Sequence, residues 1–459
     1  MSEDRSLKIL LVDDSGMART MISNTIKSVG RHEISTATDG IDAVQRLQSG
    51  APVDCVISDW NMPSMDGLAF LKWLRGQEGL KNLPFIMATA QSDKKQVGMA
   101  LAAGANQVLA KPFSTDELRQ ALNAIFGPSK AAEASAFQLQ YAGAGRLRLR
   151  VAHTASLELL TVGALSLMTR RAELSTESFE LKAMNLPNLN AVQSSLENGR
   201  VDAAFVPLPL AMDLFGFGLP LRLVCLSGRN GGQLVRNKHW SSVHWPSHKE
   251  YFKYKAVLIP HKMSLYNMLL HRFLKEEGLR PGVPGVAPIN VRFEVMPPIK
   301  MPEFMAYNED VAAFACADPM GALAVRADIA TPMFPTSELW RNHPGEALVV
   351  REECLAEHPE SVRELVRLLF EAGARLADDP DKAAALAVDF LDPHKTLRLD
   401  ADSLEHLLIG EQALNTRDLT PIPAELESIQ DYLYNEMDIG GLIDVSRLVD
   451  TSFAEQARG

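Results

Sequence analysis

Residues 7–14 read LKILLVDD, an apolar run that stops abruptly on two aspartates. The pattern recurs along the first quarter of the chain: VDCVISD (53–59) stops on Asp59, LPFIMAT (83–89) on Thr89, and QVLAK (107–111) on Lys111. EISTA (33–37) supplies one more short strand, and stretches of helical periodicity follow the runs at 15–29, 39–49, 66–76, 92–103 and 115–126. Five strands alternating with five helices predict a parallel sheet covered on both faces, with function at the carboxyl ends of the strands. Asp13, Asp14, Asp59, Thr89 and Lys111 all fall at that edge.

These residue types suit phosphoryl chemistry. A hard divalent cation prefers carboxylate and carbonyl oxygens. Asp13 and Asp14 can hold Mg2+ beside Asp59, whose carboxylate is placed to attack a phosphoryl donor. Lys111 then neutralises the added charge and the Thr89 hydroxyl bonds a phosphoryl oxygen.

At LLVDDS, SDWNMPSMDGLAFLKWLR, ATA and AKPF the segment resembles the receiver domain of two-component response regulators, particularly the single-domain chemotaxis regulator. The resemblance covers about the first 125 residues. It implies a flavodoxin-like (βα)5 fold, Asp59 as the phosphorylated residue, and a histidine kinase or phosphotransfer protein as donor. It also implies Asp13, Asp14, Asp59 and the Asn61 backbone carbonyl as the Mg2+ site, and a cis bond between Lys111 and Pro112. One position departs from the family. Many receivers carry Tyr or Phe three residues before the lysine, where Val108 stands, and a β-branched aliphatic cannot make an aromatic's rotamer swing. The expected output face is helix 92–103, strand 107–110 and helix 115–126.

The chain has 459 residues, enough for two or three domains, and 46% hydrophobic with 22% charged residues is an ordinary globular balance. A formal net charge of -11 argues against a polyanion-binding surface, and no basic recognition helix is apparent, so direct DNA binding is not expected. The charged start MSEDRS is unlike a signal peptide, and no apolar run of about 18 residues suggests a membrane span. A cytoplasmic protein is expected. Cys55, Cys225, Cys316 and Cys354 lie far apart in apolar segments, which predicts buried thiols.

The reading divides the chain into a receiver domain (1–127), a Pro, Ser, Ala and Gly-rich linker (128–146) and a second domain (147–459). The second domain contains a weak repeat: LRLRVAHTASLELL (147–160) is echoed by KAVLIPHKMSLYNMLL (255–270). Each copy gives a strand, His, two residues, Ser and Leu, then an apolar helix, and goes on to a second strand, a helix and a third strand. The intervals from His153 to Phe205 and from His261 to Phe314 differ by one residue. Two βαβαβ halves predict two lobes with a cleft between them. Ser156 and Ser264 stand where helix N-caps belong, so the two helix N-termini would face the cleft and favour a small anion. Read singly, the serines are caps and the histidines satisfied loop residues; the repetition makes them ligand candidates. The full set is Thr154, Ser156, Pro207, Asn230, Gln233, His261, Ser264, Asp318 and Met320, with the chain crossing between lobes near Asn230 and Gln233.

The segments AVQSSLENGRVDAAFVPLPLAMDL, LSGRNGGQLVRNK, PPIKMPEFMAYNEDVAAFACADPMGALAV and SELWRNHPGEALVVREECLAEHPESV make the domain similar to solute-binding proteins of the nitrate, bicarbonate and sulfonate transport group. Cytoplasmic nitrate and nitrite sensors of that group, which hold an RNA-binding antiterminator, are the nearer comparison. The resemblance implies a hinged sensor of the type 2 periplasmic-binding-protein fold, a small anionic ligand (nitrate- or nitrite-like, or a carboxylate) and a downstream protein partner such as an antiterminator. PNLN (187–190) stands where nitrate-binding relatives have a Trp, and Leu265 where they have a His, so the ligand's identity is left open. The expectation is a non-enzymatic response regulator with protein-protein output. The alternatives are a lobe pair that docks partners without any ligand, and an enzyme like the thiamine-pyrimidine synthases, whose cysteine-rich iron motif this chain lacks.

Overall fold

The structure, a computed structural model, describes residues 6–30, 32–49, 52–77, 79–81, 83–89, 99–100, 103–111, 113, 115–126, 137–241, 243–283 and 288–458. The chain divides into two compact units. The smaller holds Met1–Ala136 and the larger comprises Phe137–Pro284 and Ile289–Gly459.

In the smaller unit β1 (Lys8–Val12), β2 (Glu33–Ala37), β3 (Cys55–Asp59), β4 (Phe85–Thr89) and β5 (Gln107–Ala110) form one sheet in the order β2-β1-β3-β4-β5, with every pairing parallel. Alternate residues serve opposite faces, as a pleated strand requires. Leu10, Val12, Val56, Phe85 and Met87 share one core with helices Gly40–Gln48 and Gly67–Arg75, while Ile9, Leu11, Cys55, Ile57 and Ile86 share the other with helices Gly16–Val29 and Thr115–Phe126. Helices on both faces leave the carboxyl edge of the sheet as the open place for a site. Of the expected helix 92–103 only 99–100, which are helical, and 103 are described, and the Lys111–Pro112 bond lies outside the described residues.

The larger unit has two sheets. The first runs β10-β17-β9-β7-β6, with β8 also on β7: β6 (Gln140–Tyr141), β7 (Leu147–His153), β8 (Phe179–Asn185), β9 (Ala203–Val206), β10 (Leu221–Leu226) and β17 (Ala347–Arg351). The second runs β13-β14-β12-β15-β11-β16: β11 (Gly232–Asn237), β12 (Ala256–Ile259), β13 (Pro281–Gly282), β14 (Val291–Val295), β15 (Val311–Ala317) and β16 (Ala330–Pro335). The repeat has a matching topology in the two lobes. β7 lies parallel between β8 and β9, and β12 lies parallel between β14 and β15. Residues 137–146, which the sequence suggested as the end of a linker, belong to this unit: Gln140–Tyr141 pairs antiparallel with β7.

The chain crosses from the first lobe to the second between β10 and β11 and returns between β16 and β17. A third segment joins these crossings, because Arg229 N donates to Asn415 O and Asn415 N to Arg229 O, both at 2.9 Å. Helices Pro359–Asp378 and Pro380–Leu391 pack on Leu160–Arg170 and complete the first lobe's core. Among the described residues no helix is long and apolar enough to cross a membrane.

Candidate functional site

The first site is at the carboxyl edge of the receiver sheet. Asp13 follows β1, is 1% exposed, and is fixed by two backbone contacts: its Oδ1 accepts Ser15 N at 2.8 Å, and its carbonyl accepts Arg19 at 2.6 Å. Ser15 in turn caps the Gly16–Val29 helix by accepting Ala18 N. Asp59 ends β3. Its backbone is approached so closely by Gly67 that a Cβ there would lie 2.1 Å from the Asp59 carbonyl oxygen, so only glycine lets the Gly67–Arg75 helix start here. Thr89 ends β4, is fully buried, and its carbonyl accepts Lys111 N at 2.8 Å, which delivers Lys111 to the site.

Lys111 Nζ lies 2.5 Å from Asp13 Oδ2 and 2.5 Å from Asp59 Oδ1. Carboxylate oxygens of Asp13, Asp14 and Asp59 lie within 4.8 Å of one another. Asp14 is exposed, and Asn61 sits exposed in the loop two residues beyond Asp59. Desolvation pushes the Asp59 carboxyl above its ordinary value, against the pull of Lys111. Three hard oxygen donors, one of them open to water, fit Mg2+, which binds through one or two carboxylates and keeps several waters. Val108 is half-buried and packs on the receiver core, in register with Met87 of β4.

The second candidate site is the seam between the lobes. Two of the expected residues come together there: Gln233 Nε2 donates to Asp318 Oδ1. Asp318 also accepts Leu157 N from the other lobe on its backbone carbonyl at 2.8 Å. Ser264 caps the Leu265–Glu276 helix as expected, accepting Asn267 N. His261 shapes that same turn, its Nδ1 accepting Met263 N at 3.0 Å. Thr154 accepts the His153 ring on its carbonyl, and His153 packs on Phe390 inside the first lobe. Pro207 opens helix Leu208–Gly216, and Met320 is buried in a second-lobe core. Asn230 is a crossing residue: at φ 59 its N donates to His343 O and its Nδ2 to Ala413 O.

Ser156 is a correction. It precedes a 3-10 turn, Leu157–Leu159, makes no side-chain cap hydrogen bond, and its Oγ is buried without a partner among the described residues. The first lobe therefore does not present a serine-capped helix N-terminus. Its first turn carries Glu158 instead, which is buried and accepts the Tyr266 hydroxyl from the second lobe. Glu158, Tyr266 and Glu346 escape a reading based on polar loops because each sits inside or beside an apolar run. The signal available was a lone acid in SLELLTVGAL (156–165). Arg229 escapes it too. Wholly buried at the crossing, it reaches Asp418 and Glu425 at 3.0 and 2.9 Å, Thr420 O at 2.9 Å and Asn342 O at 3.0 Å.

A parallel (βα) sheet with an acidic trio and a lysine at its carboxyl edge, followed by a two-lobed α/β unit, defines a receiver joined to a second, two-lobed domain. Residues 9–123 match the response regulator receiver domain family and residues 173–389 the NMT1-like family. The probable chemotaxis protein CheY of Rhizobium etli is 39% identical over 130 residues, 28% of this chain and 100% of that protein. The chain belongs to the response regulator receiver family. The larger unit shares its fold with two solved structures. The ligand-binding component of an ABC-type import system from Staphylococcus aureus covers 68% of this chain and 99% of its own, with TM-score 0.57 and 17% identity. The periplasmic nitrate-binding protein NrtA of Synechocystis PCC 6803 covers 68% and 88%, with TM-score 0.58 and 13% identity.

Proposed function

We propose that this chain is a response regulator whose receiver, phosphorylated on Asp59 with Mg2+ at Asp13, Asp14, Asp59 and the Asn61 carbonyl, is coupled to a small-molecule sensor. The observation that carries the reading is the Lys111 ammonium set between Asp13 and Asp59, beside Asp14. When bound, Mg2+ supplies a fixed positive charge for phosphoryl oxygens. Asp59 offers the attacking carboxylate oxygen, and as its bond to phosphorus forms the bond from phosphorus to the donor breaks, the donor keeping that electron pair. Lys111 moves its charge from Asp59 to the new phosphoryl group, and Thr89, buried at the next strand end, donates its hydroxyl to that group. The donor is a histidine kinase or phosphotransfer protein, and the output is binding or release of a protein partner in the cytoplasm. With acetyl phosphate and Mg2+ the intact mass should rise by one phosphoryl group, and Asp59→Asn should remove the increase. A wild-type chain that gains no mass under these conditions overturns the reading.

The sensor's ligand belongs in the seam between the lobes, and kinship in fold with a nitrate-binding protein supports a small anion. Gln233 and Asp318 already meet there, with Thr154, Ser156, Pro207, Asn230, His261, Ser264 and Met320 as the remaining candidates. A second reading, a docking platform without ligand, is favoured by one observation. Protein groups bridge the seam directly, Leu157 to Asp318 and Tyr266 to Glu158. Thermal shift against nitrate, nitrite, bicarbonate, sulfonates and short carboxylates separates the two. A ligand at about 100 times its Kd should add about 2.7 kcal/mol, and no shift from any of them at millimolar concentration favours the platform.

A further inference from the structure

The lobes meet over carboxyl groups. Glu158 of the first lobe is 5% exposed and accepts the Tyr266 hydroxyl of the second; Asp318 of the second is 4% exposed and its carbonyl accepts Leu157 N of the first. Glu346, beside β17 on the return crossing, acts on Glu158 as a like charge. Gly231 on the outward crossing, at φ +97, lies so close that a Cβ would stand 3.2 Å from Glu158 Cγ, so the crossing backbone itself closes over this side chain. The other titratable or polar groups that act on these acids are Tyr266 from the Leu265–Glu276 helix, Cys316 from β15, Gln233 from β11 and the backbone at Ala322. None of them is a cation.

We propose that the seam is a proton-operated latch, in which the lobes close over Glu158 and Asp318 as neutral acids and part when these groups ionise. Ionised carboxylates in this desolvated seam repel and lack water, with Arg229 of the crossing already paired to Asp418 and Glu425. Desolvation works against the Tyr266 and Gln233 hydrogen bonds, which favour the charged form, and a neutral acid still accepts both contacts. Desolvation, followed by the nearby acids, holds Glu158 well above the ordinary carboxylate range, and desolvation raises Asp318 and Glu346 each to about 7. Opened to water, each returns toward about 4. Closure therefore takes up protons. Its full advantage is present below the open-state values of about 4 and is lost as pH rises through about 7. The proposal rests on the two-lobed sensor reading for its consequence, that a ligand which closes the lobes binds with proton uptake. Its test uses no ligand, so the latch and the ligand reading can fail separately.

The test places a donor and an acceptor dye on the full chain at Phe217→Cys in the first lobe and Tyr307→Cys in the second, 81% and 84% exposed in the parent. The four native cysteines are buried and leave these two as the labelling sites. Across pH 5.5 to 8.5 at fixed ionic strength the transfer efficiency should move between two plateaus, with its midpoint near 7. Glu158→Gln with Asp318→Asn keeps the hydrogen bonds but cannot ionise, and should hold the low-pH plateau throughout. Asp318→Asn alone, checked for native circular dichroism, should give a shallower transition than the parent. A flat parent profile, or variants that keep the parent's transition, overturns the latch.

Discussion

At the scale of single residues, the receiver site is a balance between one ammonium and two largely buried carboxylates. Lys111→Met leaves Asp13 and Asp59 facing each other without a counter-charge, and removing one partner of a buried ion pair costs about 3 to 5 kcal/mol. Lys111 retains 18% side-chain exposure, so the lower end of that range is expected in urea unfolding of the receiver, with partial recovery in millimolar Mg2+. No loss, or a loss that Mg2+ does not reduce, would contradict this charge balance. Gly67→Ala forces a methyl group against the Asp59 carbonyl and should lower the receiver's melting temperature, at about 1 to 3 kcal/mol for overpacking. Asp13, Asp59 and Lys111 were legible in the sequence because each ends or follows an apolar strand, so the periodicity that gives the fold also brings them together; Gly67 was not, because a close backbone approach leaves no periodic signal. Glu158 was not. A single acid in an apolar run reads as a helix surface, and only the packing of the second lobe against it turns that surface into an interior.

At the scale of elements, the two βαβαβ halves were legible because each half repeats its own strand and helix periods. The start of the second helix at Ser264 followed cap chemistry. The start of the first did not, because a 3-10 turn and the Leu157 to Asp318 contact replace the cap. The crossing was legible only as a location. Its third segment comes from residues near 415, almost two hundred positions from Arg229, and such a long-range bridge leaves no local pattern. Arg229 is the element's tie, holding the return crossing through Asn342 and the C-terminal segment through Asp418, Thr420 and Glu425. Arg229→Met should cost about 3 to 5 kcal/mol. By calorimetry the larger unit should then unfold at lower temperature while the receiver transition stays in place. A variant with an unchanged transition in the larger unit would show that the tie contributes nothing.

At the scale of the whole molecule, buried acids make stability depend on pH in an unusual direction. Asp318 stands at about 7 in the folded chain, against 3.8 for the free group. Stability contributed by the neutral form is present below pH 4 and lost as pH rises through 7, at most about 4 kcal/mol for this group. Urea midpoints of the larger unit should therefore fall from pH 5 to pH 8, and Asp318→Asn should flatten the slope. A slope that Asp318→Asn leaves unchanged places the titration elsewhere. Length allowed two or three domains, and motifs and resemblances pointed to a switch and a sensor; the proposed linkage between them would live in an equilibrium and leaves no residue pattern. The most direct measurement of that linkage uses the same lobe-to-lobe dye pair, read with and without beryllofluoride and Mg2+. A coupling of about 1 to 3 kcal/mol corresponds to a 5- to 150-fold shift in the closing equilibrium. The account predicts such a shift in the parent chain and none in Asp59→Asn. A parent whose lobes ignore beryllofluoride, although the receiver binds it, would contradict the claim that switch and sensor act as one.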